Sequence, residues 1–465
     1  MSEKTTGEIL KEELFLKKEN GLKNITDEKW AEISDFCEGY KSFLNKAKTE
    51  REAVKTAVEI AENVGFLPFD PNKKYEAGDK YYVNNRGKTA AFVVVGKESA
   101  DKGTQITAAH IDSPRIDLKP NPLYEDTDLA LFKTHYYGGI KKYQWTAMPL
   151  ALHGVFAKKD GSVVDVCIGE DENDPCFVIT DLLPHLSQEQ YKRTLSDGIR
   201  GEELNILIGS MPFKDDKVSE AVKLNILKIL NEKYGVTEAD FLSAELELVP
   251  AAKARDIGLD RSLIGSYGHD DRVCAYPALM AICDVENPEK TAICVLADKE
   301  ETGSDGNTGL ASDFLRFVVR DLAEKQGVDY TVALRHSKCL SADVNAGMDP
   351  TFKDVMEARN ASKLNYGAVI TKYTGARGKA GTSDASAEYV AYVRNMLDNA
   401  GITWQTGELG KVDLGGGGTV AMYVANMGVD VVDLGVPVLS MHAPFEVVSK
   451  FDVFETYRTM YEFCK

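Results

Sequence analysis

Two adjacent glutamates, Glu300 and Glu301, follow a run of six apolar residues, 292–297. A run of this length, bounded by turn residues, is typical of a strand buried in a parallel sheet. Open α/β sheets bind their ligands beyond the carboxyl ends of the strands. Two carboxylates at such a place can take different roles, one as a metal ligand and one in proton transfer. An isolated Glu-Glu pair more often belongs to a solvated loop, so other residues must support the chemistry.

Other candidate metal ligands occupy similar positions at the end of an apolar run or at the start of a helix: His110, Asp343, His442 and Asp270. Each residue alone has a commoner structural explanation, as a core histidine, a helix cap or a turn residue. As a set without cysteine, they suit two divalent ions, most often zinc, with manganese or cobalt tolerated. Asp112, two residues after His110, is placed to hold a ligand from behind.

The elements that would position these residues follow from periodicity. Thr49 and Glu52 form a capping-box pattern at the start of a helix that should stop at Gly65. The sequence predicts strands at residues 80–83, 89–95, 104–109, 292–297, 330–334, 368–372 and 429–434. It predicts later helices at 271–283, 312–325 and 383–399, with Ser383 as an N-cap, and a last helix capped by Ser449.

The pattern changes between residues 119 and 253, where short strands and turns replace the α/β alternation. Alternating residues at 155–157 and 163–168 flank Asp160-Gly161, which predicts a hairpin. One amphipathic segment covers residues 218–230. We therefore expect residues 119–253 to form an inserted β-rich domain, and residues 1–118 and 254–465 to form an α/β catalytic domain.

Composition excludes several classes of function. The net charge of −18 argues against nucleic acid or an anionic membrane as the partner. No stretch approaches the ~18 apolar residues of a membrane span, and the first residues lack the apolar segment of a signal peptide. The eight cysteines show no CxxC spacing, which indicates free thiols. We expect a reduced, cytoplasmic protein.

Six motifs follow one another along essentially the whole chain: AAHIDSPRIDLKP, GHDDRVCAYPAL, DKEETGS, SADVNAG, LGGGGT and SMHAPFE. Together they resemble the aspartyl aminopeptidase and vacuolar aminopeptidase I family of metallopeptidases. The resemblance implies a zinc-peptidase-like α/β/α sandwich with a β-rich dimerisation insert. It implies Glu300 as general acid/base, Asp270 as the bridge between two zinc ions, and as terminal ligands His110, Glu301, Asp343 and His442.

One departure and one assembly property accompany this resemblance. The family usually has Asp-Asn where this chain has Asp270-Asp271, which keeps the bridging position. Family members are similar in assembling as tetrahedral dodecamers of dimers, so the resemblance implies a large homo-oligomer. His153, in Ala151-Leu152-His153, looks like the histidine of the family's insert that reaches a neighbouring active site. The alternative for His153 is a core histidine.

Candidate substrate-binding residues lie on loops. The four glycines at 415–418 predict a loop whose bare backbone approaches substrate, at Gly417, and no Gly-Lys-Ser/Thr follows as in a phosphate-binding loop. The resemblance implies that acid-selective family members have histidines at the positions of Ala346 and Asp349. The aspartate at position 349 should disfavour an acidic substrate side chain. Arg377 and Lys379 could supply a positive pocket or be solvated. The preference between acidic and neutral or basic residues stays open.

These features predict a metalloaminopeptidase that releases single N-terminal residues from peptides, with a water activated by two metal ions and Glu300 as the proton carrier. One alternative is a related metal-dependent carboxypeptidase or deacylase, because the same ligand set serves those reactions. Another is a catalytically silent assembly or cargo-recognition protein of the same fold. The complete ligand set and the intact Glu300 argue against silence.

Overall fold

The protein has an α/β fold, described by a computed structural model over residues 4–465. In chain order its strands are β1 (Leu67–Pro68), β2 (Lys80–Asn85), β3 (Thr89–Val94), β4 (Gln105–His110), β5 (Arg115–Asp126), β6 (Leu129–Tyr137), β7 (Leu150–Ala157), β8 (Val163–Ile168), β9 (Val178–Ile179), β10 (Ile206–Gly209), β11 (Ala244–Pro250), β12 (Arg255–Ile257), β13 (Leu263–Ser266), β14 (Ala292–Ala297), β15 (Lys338–Ser341), β16 (Asn345–Ala346), β17 (Ala368–Thr371), β18 (Trp404–Thr406), β19 (Asp430–Gly435), β20 (Pro437–Leu439) and β21 (Glu446–Ser449).

Within residues 4–465 these strands form three sheets. The main sheet has the order β1-β2-β3-β14-β4-β15-β19-β17-β18, the second sheet β8-β7-β11-β5-β6-β10-β9, and the third sheet β12-β13-β21-β20-β16. The helices are α1 (Thr6–Leu14), α2 (Asp27–Lys46), α3 (Glu50–Asn63), α4 (Ala221–Tyr234), α5 (His269–Asp284), α6 (Phe314–Gln326), α7 (Tyr330–His336), α8 (Ala387–Asn399), α9 (Ala421–Ala425) and α10 (Lys450–Cys464).

Helices cover both faces of the main sheet. Successive residues of β3 point to opposite faces, so Phe92 and Val94 pack with α2, α3, α5, α8 and α10. Ala91 and Val93 pack on the other face with α6, α7 and α9. Because both faces are covered, β14 is buried along its whole length, which explains its uninterrupted apolar run.

The centre of the main sheet is parallel, but the sheet as a whole is mixed. Strand β4 pairs in parallel with β14 on one side and with β15 on the other, so Ala297 lies beside His110 and Ser341 beside Ala108. Strand β14 pairs antiparallel with β3. The carboxyl ends of β14, β4 and β15 therefore meet at one edge, although β14 does not lie in a purely parallel sheet as its sequence predicted.

Most predicted elements are confirmed, including the helix capped by Thr49 and the last helix capped by Ser449. The predicted strand at 330–334 is wrong, because these residues form helix α7, capped by the Asp329 side chain. Periodicity cannot distinguish a short buried strand from a short helix over so few residues. The predicted N-cap at Ser383 is also wrong, since Ser386 accepts the capping hydrogen bond from the N–H of Tyr389.

The second sheet is built from residues that lie between Arg115 and Pro250 and has its own apolar core. Its predicted hairpin is confirmed by the pairing of β7 with β8. The amphipathic segment predicted at 218–230 becomes α4, which begins at Ala221. The assignment of 119–253 as an inserted dimerisation domain stays a prediction, and the sheet begins a few residues earlier, at Arg115.

Two further features of the fold are the character of its helices and the state of its cysteines. Across residues 4–465, every helix falls short of the combined length and apolarity that a membrane crossing needs. All eight cysteines are free thiols, as predicted, with Cys167 and Cys176 exposed and the others buried.

A network of ion pairs joins the residues just before α3 to the second sheet and to the segment that follows it. Glu170 contacts His153 at 3.0 Å and Lys48 at 2.7 Å, and it also pairs with Lys253. Burial alone would raise the pKa of Glu170, but the hydrogen bond from His153 and the charge of Lys48 lower it to about 2. The ionised carboxylate therefore stabilises the folded chain above its ordinary pKa of 4.5.

We predict that Glu170→Gln lowers the free energy of unfolding at pH 7 by on the order of 2 kcal/mol. The pKa of Glu170 is depressed on folding, so the difference between parent and variant should shrink as the pH falls from about 4.5 towards 2. Urea unfolding at pH 7, 5 and 3 measures this difference, with the exposed Glu172→Gln as control. An equal difference at pH 7 and pH 3 would contradict the prediction.

Candidate metal centre

Three strands of the main sheet bring their following residues to one edge. His110 is the last residue of β4, Glu300 and Glu301 begin a short 3-10 turn after β14, and Asp343 lies two residues beyond β15. Asp270 reaches the same edge from the first turn of α5, where its backbone angles are not yet helical. The convergence expected from the sequence is found for these five residues.

His442 arrives from a different sheet than its sequence suggested. It follows β20, which pairs with β16 and β21 in the third sheet and not with the main sheet. Its φ of 64° places it in a left-handed turn between β20 and β21. The site therefore lies where the carboxyl edge of the main sheet meets a turn of the third sheet.

Asp270 lies between the two histidines. Its Oδ1 is 3.1 Å from Nε2 of His110, and its Oδ2 is 3.1 Å from Nε2 of His442. Asp343 Oδ1 lies 3.8 Å from Nε2 of His110, and Glu301 Oε2 lies 3.6 Å from Nε2 of His442. Two groups of ligand atoms, each within 4.8 Å, therefore share Asp270. A carboxylate shared in this way is what a two-metal site requires.

Asp112 holds the site from behind. The carbonyl oxygen of Asp112 is 3.0 Å from Nδ1 of His110, so this nitrogen can donate there and leave Nε2 free as a ligand atom. The fully buried carboxylate of Asp112 accepts hydrogen bonds from the main-chain N–H groups of Glu300 and Glu301, at 3.1 and 3.2 Å. One side chain thus fixes both the histidine and the turn that carries the two glutamates.

Burial governs the protonation of the carboxylates. It raises the pKa of Glu301 and of Asp343 well above their usual ranges, and neighbouring carboxylates add to the rise. Burial raises the pKa of Glu300 to about 7. For His442 burial alone would lower the pKa, but the hydrogen bond with Asp270 and the charge of Glu301 raise it to about 10.

The residues present fit a pair of zinc ions. Each group offers one imidazole nitrogen and two carboxylate oxygens, and three protein ligands per ion leave a position open, as in catalytic zinc sites. Glu301 Oε1 is buried and has no hydrogen-bond partner among the described residues. A buried carboxylate oxygen in this state is costly, and a bound cation removes that cost.

Asp271 shows what the departure from Asp-Asn means physically. It is fully buried, and neither carboxylate oxygen has a hydrogen-bond partner within residues 4–465. Burial, reinforced by the charge of Asp270, raises its pKa well above the usual range, although the charge of His110 opposes the rise. A protonated Asp271 carries no charge, and in this respect it resembles the asparagine that the family usually has at this position.

Glu446 was not predicted from the sequence, and it supports Asp270 and His442 from the third sheet. Its buried carboxylate accepts hydrogen bonds from the main-chain N–H of Asp270 at 3.1 Å and of His442 at 2.7 Å. Burial raises the pKa of Glu446 to about 8. Its position four residues after His442, in the same motif, was the available signal.

A cavity of about 490 Å³ opens over the ligands. Gly417 lies in its wall together with Gly416 and Gly418, as the glycine run predicted. No sequence pattern indicated the apolar part of this wall, which comes from several separate loops and helices: Val344, Leu409, Met422, Tyr423 and Met441.

Asp349 and Lys379 do not line this cavity. Asp349 lines a neighbouring cavity of about 480 Å³, which shares Met441 and His442 with the first, and it accepts a hydrogen bond from the N–H of Thr351. The Lys379 ammonium lies 2.8 Å from Asp384 and 3.7 Å from the centre of the Tyr373 ring, in a third cavity. Its charge is thus paired locally and does not face the metal ligands.

His153 is also not brought to the cavity of its own chain. It is buried in β7, with Nδ1 at 2.7 Å from Glu52 and Nε2 at 3.0 Å from Glu170. The thiol of Cys167 lies close to Glu52 and His153. Both ring nitrogens are therefore engaged within this chain, and a role of His153 in a neighbouring subunit stays a prediction.

Residues 43–464 match the model of the aminopeptidase I zinc metalloproteases, designated M18. The chain belongs to the M18 family. It is 50% identical over 453 residues to a probable M18 family aminopeptidase 1 of Clostridium acetobutylicum, and the match covers 96% of this chain and 97% of that protein. The aminopeptidase predicted from the sequence is confirmed, and this M18 protein is a zinc metalloaminopeptidase rather than one of the alternatives.

Solved structures of relatives share its fold. An M18 aminopeptidase from Thermotoga maritima has a TM-score of 0.92 at 46% identity, covering 97% of this chain and 100% of that chain. Aminopeptidase I from Clostridium acetobutylicum has a TM-score of 0.91 at 45% identity with the same coverage. The mApe1 dodecamer of S. cerevisiae, at 21% identity, has a TM-score of 0.75 over 93% of this chain and 97% of that chain, which shows the fold alone.

Proposed function

We propose that this M18 aminopeptidase holds two zinc ions and uses Glu300 as its proton carrier. His110 and Asp343 would bind one ion, His442 and Glu301 the other, and Asp270 would bridge them. The observation that carries the proposal is the division of the Asp270 carboxylate, with one oxygen facing each histidine at 3.1 Å. Manganese or cobalt would suit the same donors. When bound, such ions polarise a carbonyl oxygen and lower the pKa of water.

Glu300 is suited to proton transfer. It lies on the cavity wall, and its Oε2 is 3.9 Å from Nε2 of His110, so it can reach a water bound beside the proposed ligands. A pKa of about 7 lets its carboxylate take a proton from the attacking water near neutral pH and return it to the leaving amine. Asp112 positions Glu300 through its main-chain N–H.

We predict that Glu300→Gln lowers kcat by about 100- to 10,000-fold while the zinc content stays at two ions per chain. Glu301→Gln is the matched comparison, because it removes a proposed ligand from the next position and should lower both zinc content and activity. Elemental analysis and hydrolysis of an aminoacyl nitroanilide, measured on the same samples, distinguish the two variants. Near-parental turnover by Glu300→Gln would show that another group carries the proton.

We further propose that the enzyme prefers neutral, apolar N-terminal residues. Within residues 4–465, the cavity lining includes apolar side chains and the carboxylates of Asp270, Glu300, Glu301 and Asp343, but no lysine or arginine. With the proposed ligand carboxylates engaged by the two ions, an acidic substrate side chain would find no cationic side chain in this cavity to pair with, which is unfavourable. The apolar wall gains contact area from a leucine or methionine side chain.

A panel of nitroanilides tests this preference. Leucine and methionine substrates should exceed aspartate and glutamate substrates in kcat/KM by about tenfold or more, since an unpaired charge in the cavity costs over 1.4 kcal/mol. Lys379→Ala should leave the ratio of leucine to aspartate unchanged, because Lys379 pairs with Asp384. Strong selectivity for aspartate, lost in Lys379→Ala, would overturn the proposal and restore a positive pocket.

We also propose that the protein acts on short peptides in the cytoplasm, as a large homo-oligomer in which dimers assemble into a tetrahedral dodecamer. Support comes from the fold shared with the mApe1 dodecamer and from exposed apolar side chains that follow β9. Leu182, Leu183, Leu186 and Leu195 are each 46–72% exposed. Several exposed leucines within one short segment are typical of an association surface.

Light scattering coupled to size-exclusion chromatography measures the assembly. A dodecamer of the 51.1 kDa chain would have a mass of about 610 kDa. Leu186→Glu combined with Leu195→Glu should lower the mass to that of smaller species, because charges disfavour a buried apolar contact. Leu259→Glu, at an exposed leucine outside this segment, is the control. A monomeric parent would exclude the assembly.

A further inference from the structure

The end of β6 brings the second sheet to the metal centre. Tyr137 is the last residue of β6, and its hydroxyl donates a hydrogen bond to Oδ2 of Asp112 at 2.7 Å. Two residues later, the carbonyl oxygen of Gly139 lies 2.7 Å from Nδ1 of His442. Residues 137–139 therefore contact Asp112, which holds His110, and also contact His442 itself. None of them has a side chain that binds metal in this arrangement.

The Tyr137 hydrogen bond acts on the residue that holds His110. Asp112 Oδ2 accepts from Tyr137 and from the N–H of Glu301, while Oδ1 accepts from the N–H of Glu300. Nδ1 of His110 lies 3.3 Å from Oδ1 of the same carboxylate. Because Asp112 is fully buried, each of these donors fixes its orientation, and water cannot replace a lost one without entering the core.

Arg115 fixes the ring of Tyr137 in turn. Its guanidinium lies 3.9 Å from the ring centre and is itself held by Glu50 at 3.3 Å and Glu247 at 3.2 Å. Asp117 completes the set at 2.8 Å. A buried cation over an aromatic face stabilises that ring position. The phenol hydroxyl therefore meets Asp112 from a preformed position.

Gly138 and Gly139 act on the other histidine site. The carbonyl of Gly139 can accept the Nδ1 proton of His442, which leaves Nε2 as the ligand atom facing Asp270. Gly138 has a φ of 74°, and a Cβ added there would lie 3.2 Å from Oε2 of Glu301. A side chain at position 138 would therefore press on Glu301 and also occupy a strained left-handed conformation.

We propose that residues 137–139, contributed by the second sheet, are a positioning segment for both metal sites of the aminopeptidase. Tyr137 fixes His110 through Asp112, and Gly139 fixes His442 directly. The inference rests on the two-zinc arrangement proposed above. Metal affinity depends on ligand positions held to within about 0.2 Å, so a segment that touches both halves sets their spacing. The second sheet therefore shapes the metal centre in addition to any role in assembly.

Tyr137→Phe removes one hydroxyl and keeps the ring that packs on Arg115. We expect it to weaken zinc binding by about 10- to 100-fold, as the loss of a residue behind a metal ligand does. It should lower kcat more than it changes KM, and it should shift the visible absorption of the Co²⁺-substituted protein. Zinc competition with a chelator of known affinity gives the dissociation constants. Tyr136→Phe, at the exposed neighbouring tyrosine, is the control and should match the parent.

Gly138→Ala tests the contact of this segment with the Glu301 and His442 ligand group, and a control variant separates that effect from a loss of stability. Gly161→Ala is its matched control, because Gly161 has a similar φ of 85° but no atom within 4 Å of an added Cβ. Both variants should lose similar thermal stability, and only Gly138→Ala should weaken one of the two zinc sites. This pair remains informative if Tyr137→Phe folds poorly.

Three results have distinct meanings. Weaker zinc binding in Tyr137→Phe and Gly138→Ala, with both controls like the parent, supports the positioning role. Parental zinc affinity and a parental Co²⁺ spectrum in both variants would overturn it. A parent enzyme that binds fewer than two zinc ions would instead refute the two-zinc arrangement, whatever the variants show.

Discussion

Negative charge concentrated in a buried edge is the constraint on which this structure depends. Asp270, Glu300, Glu301 and Asp343 line one cavity at the end of the main sheet, where burial raises the pKa of Glu300, Glu301 and Asp343. Like charges this close cannot all ionise without cations between them. The two histidines lie on either side of Asp270 and provide the nitrogen donors that a zinc pair needs.

The surrounding fold holds these carboxylates in place. Parallel pairing of β14, β4 and β15 brings three ligand-bearing turns to one edge, and helices on both faces bury the strands that carry them. Asp112 and Glu446 then fix the ligands from two sides through main-chain N–H groups. Such supports account for how carboxylates can remain close together without rearranging.

Much of this site could be predicted from the sequence because its proposed ligands follow apolar runs and lie in distinctive motifs. The strand at 292–297 and its glutamates are of this kind. The sheet that carries His442 could not be predicted, because a short apolar run does not say with which strand it pairs. The helix α7 was missed for a similar reason, since seven residues carry too little periodicity.

Residues that act across long distances in the sequence left no local signal at all. Tyr137 and Gly139 lie in a segment that reads as an ordinary strand end followed by glycines, and their contacts are with Asp112 and His442. The apolar cavity wall has the same character, because Leu409, Met422 and Met441 come from separate parts of the chain. Only the folded arrangement shows which loops meet.

The origin of His442 in the third sheet has a consequence for biosynthesis. His110 and His442 are 332 positions apart, and strands β20 and β21 are synthesised after every other proposed ligand. Contacts between such distant segments carry a high entropic cost and slow folding. A nascent chain in which Asp270 and Glu301 have been synthesised but His442 has not lacks one of the two imidazoles, that of His442. The full set of proposed ligands is therefore present only once the chain beyond β20 has been synthesised.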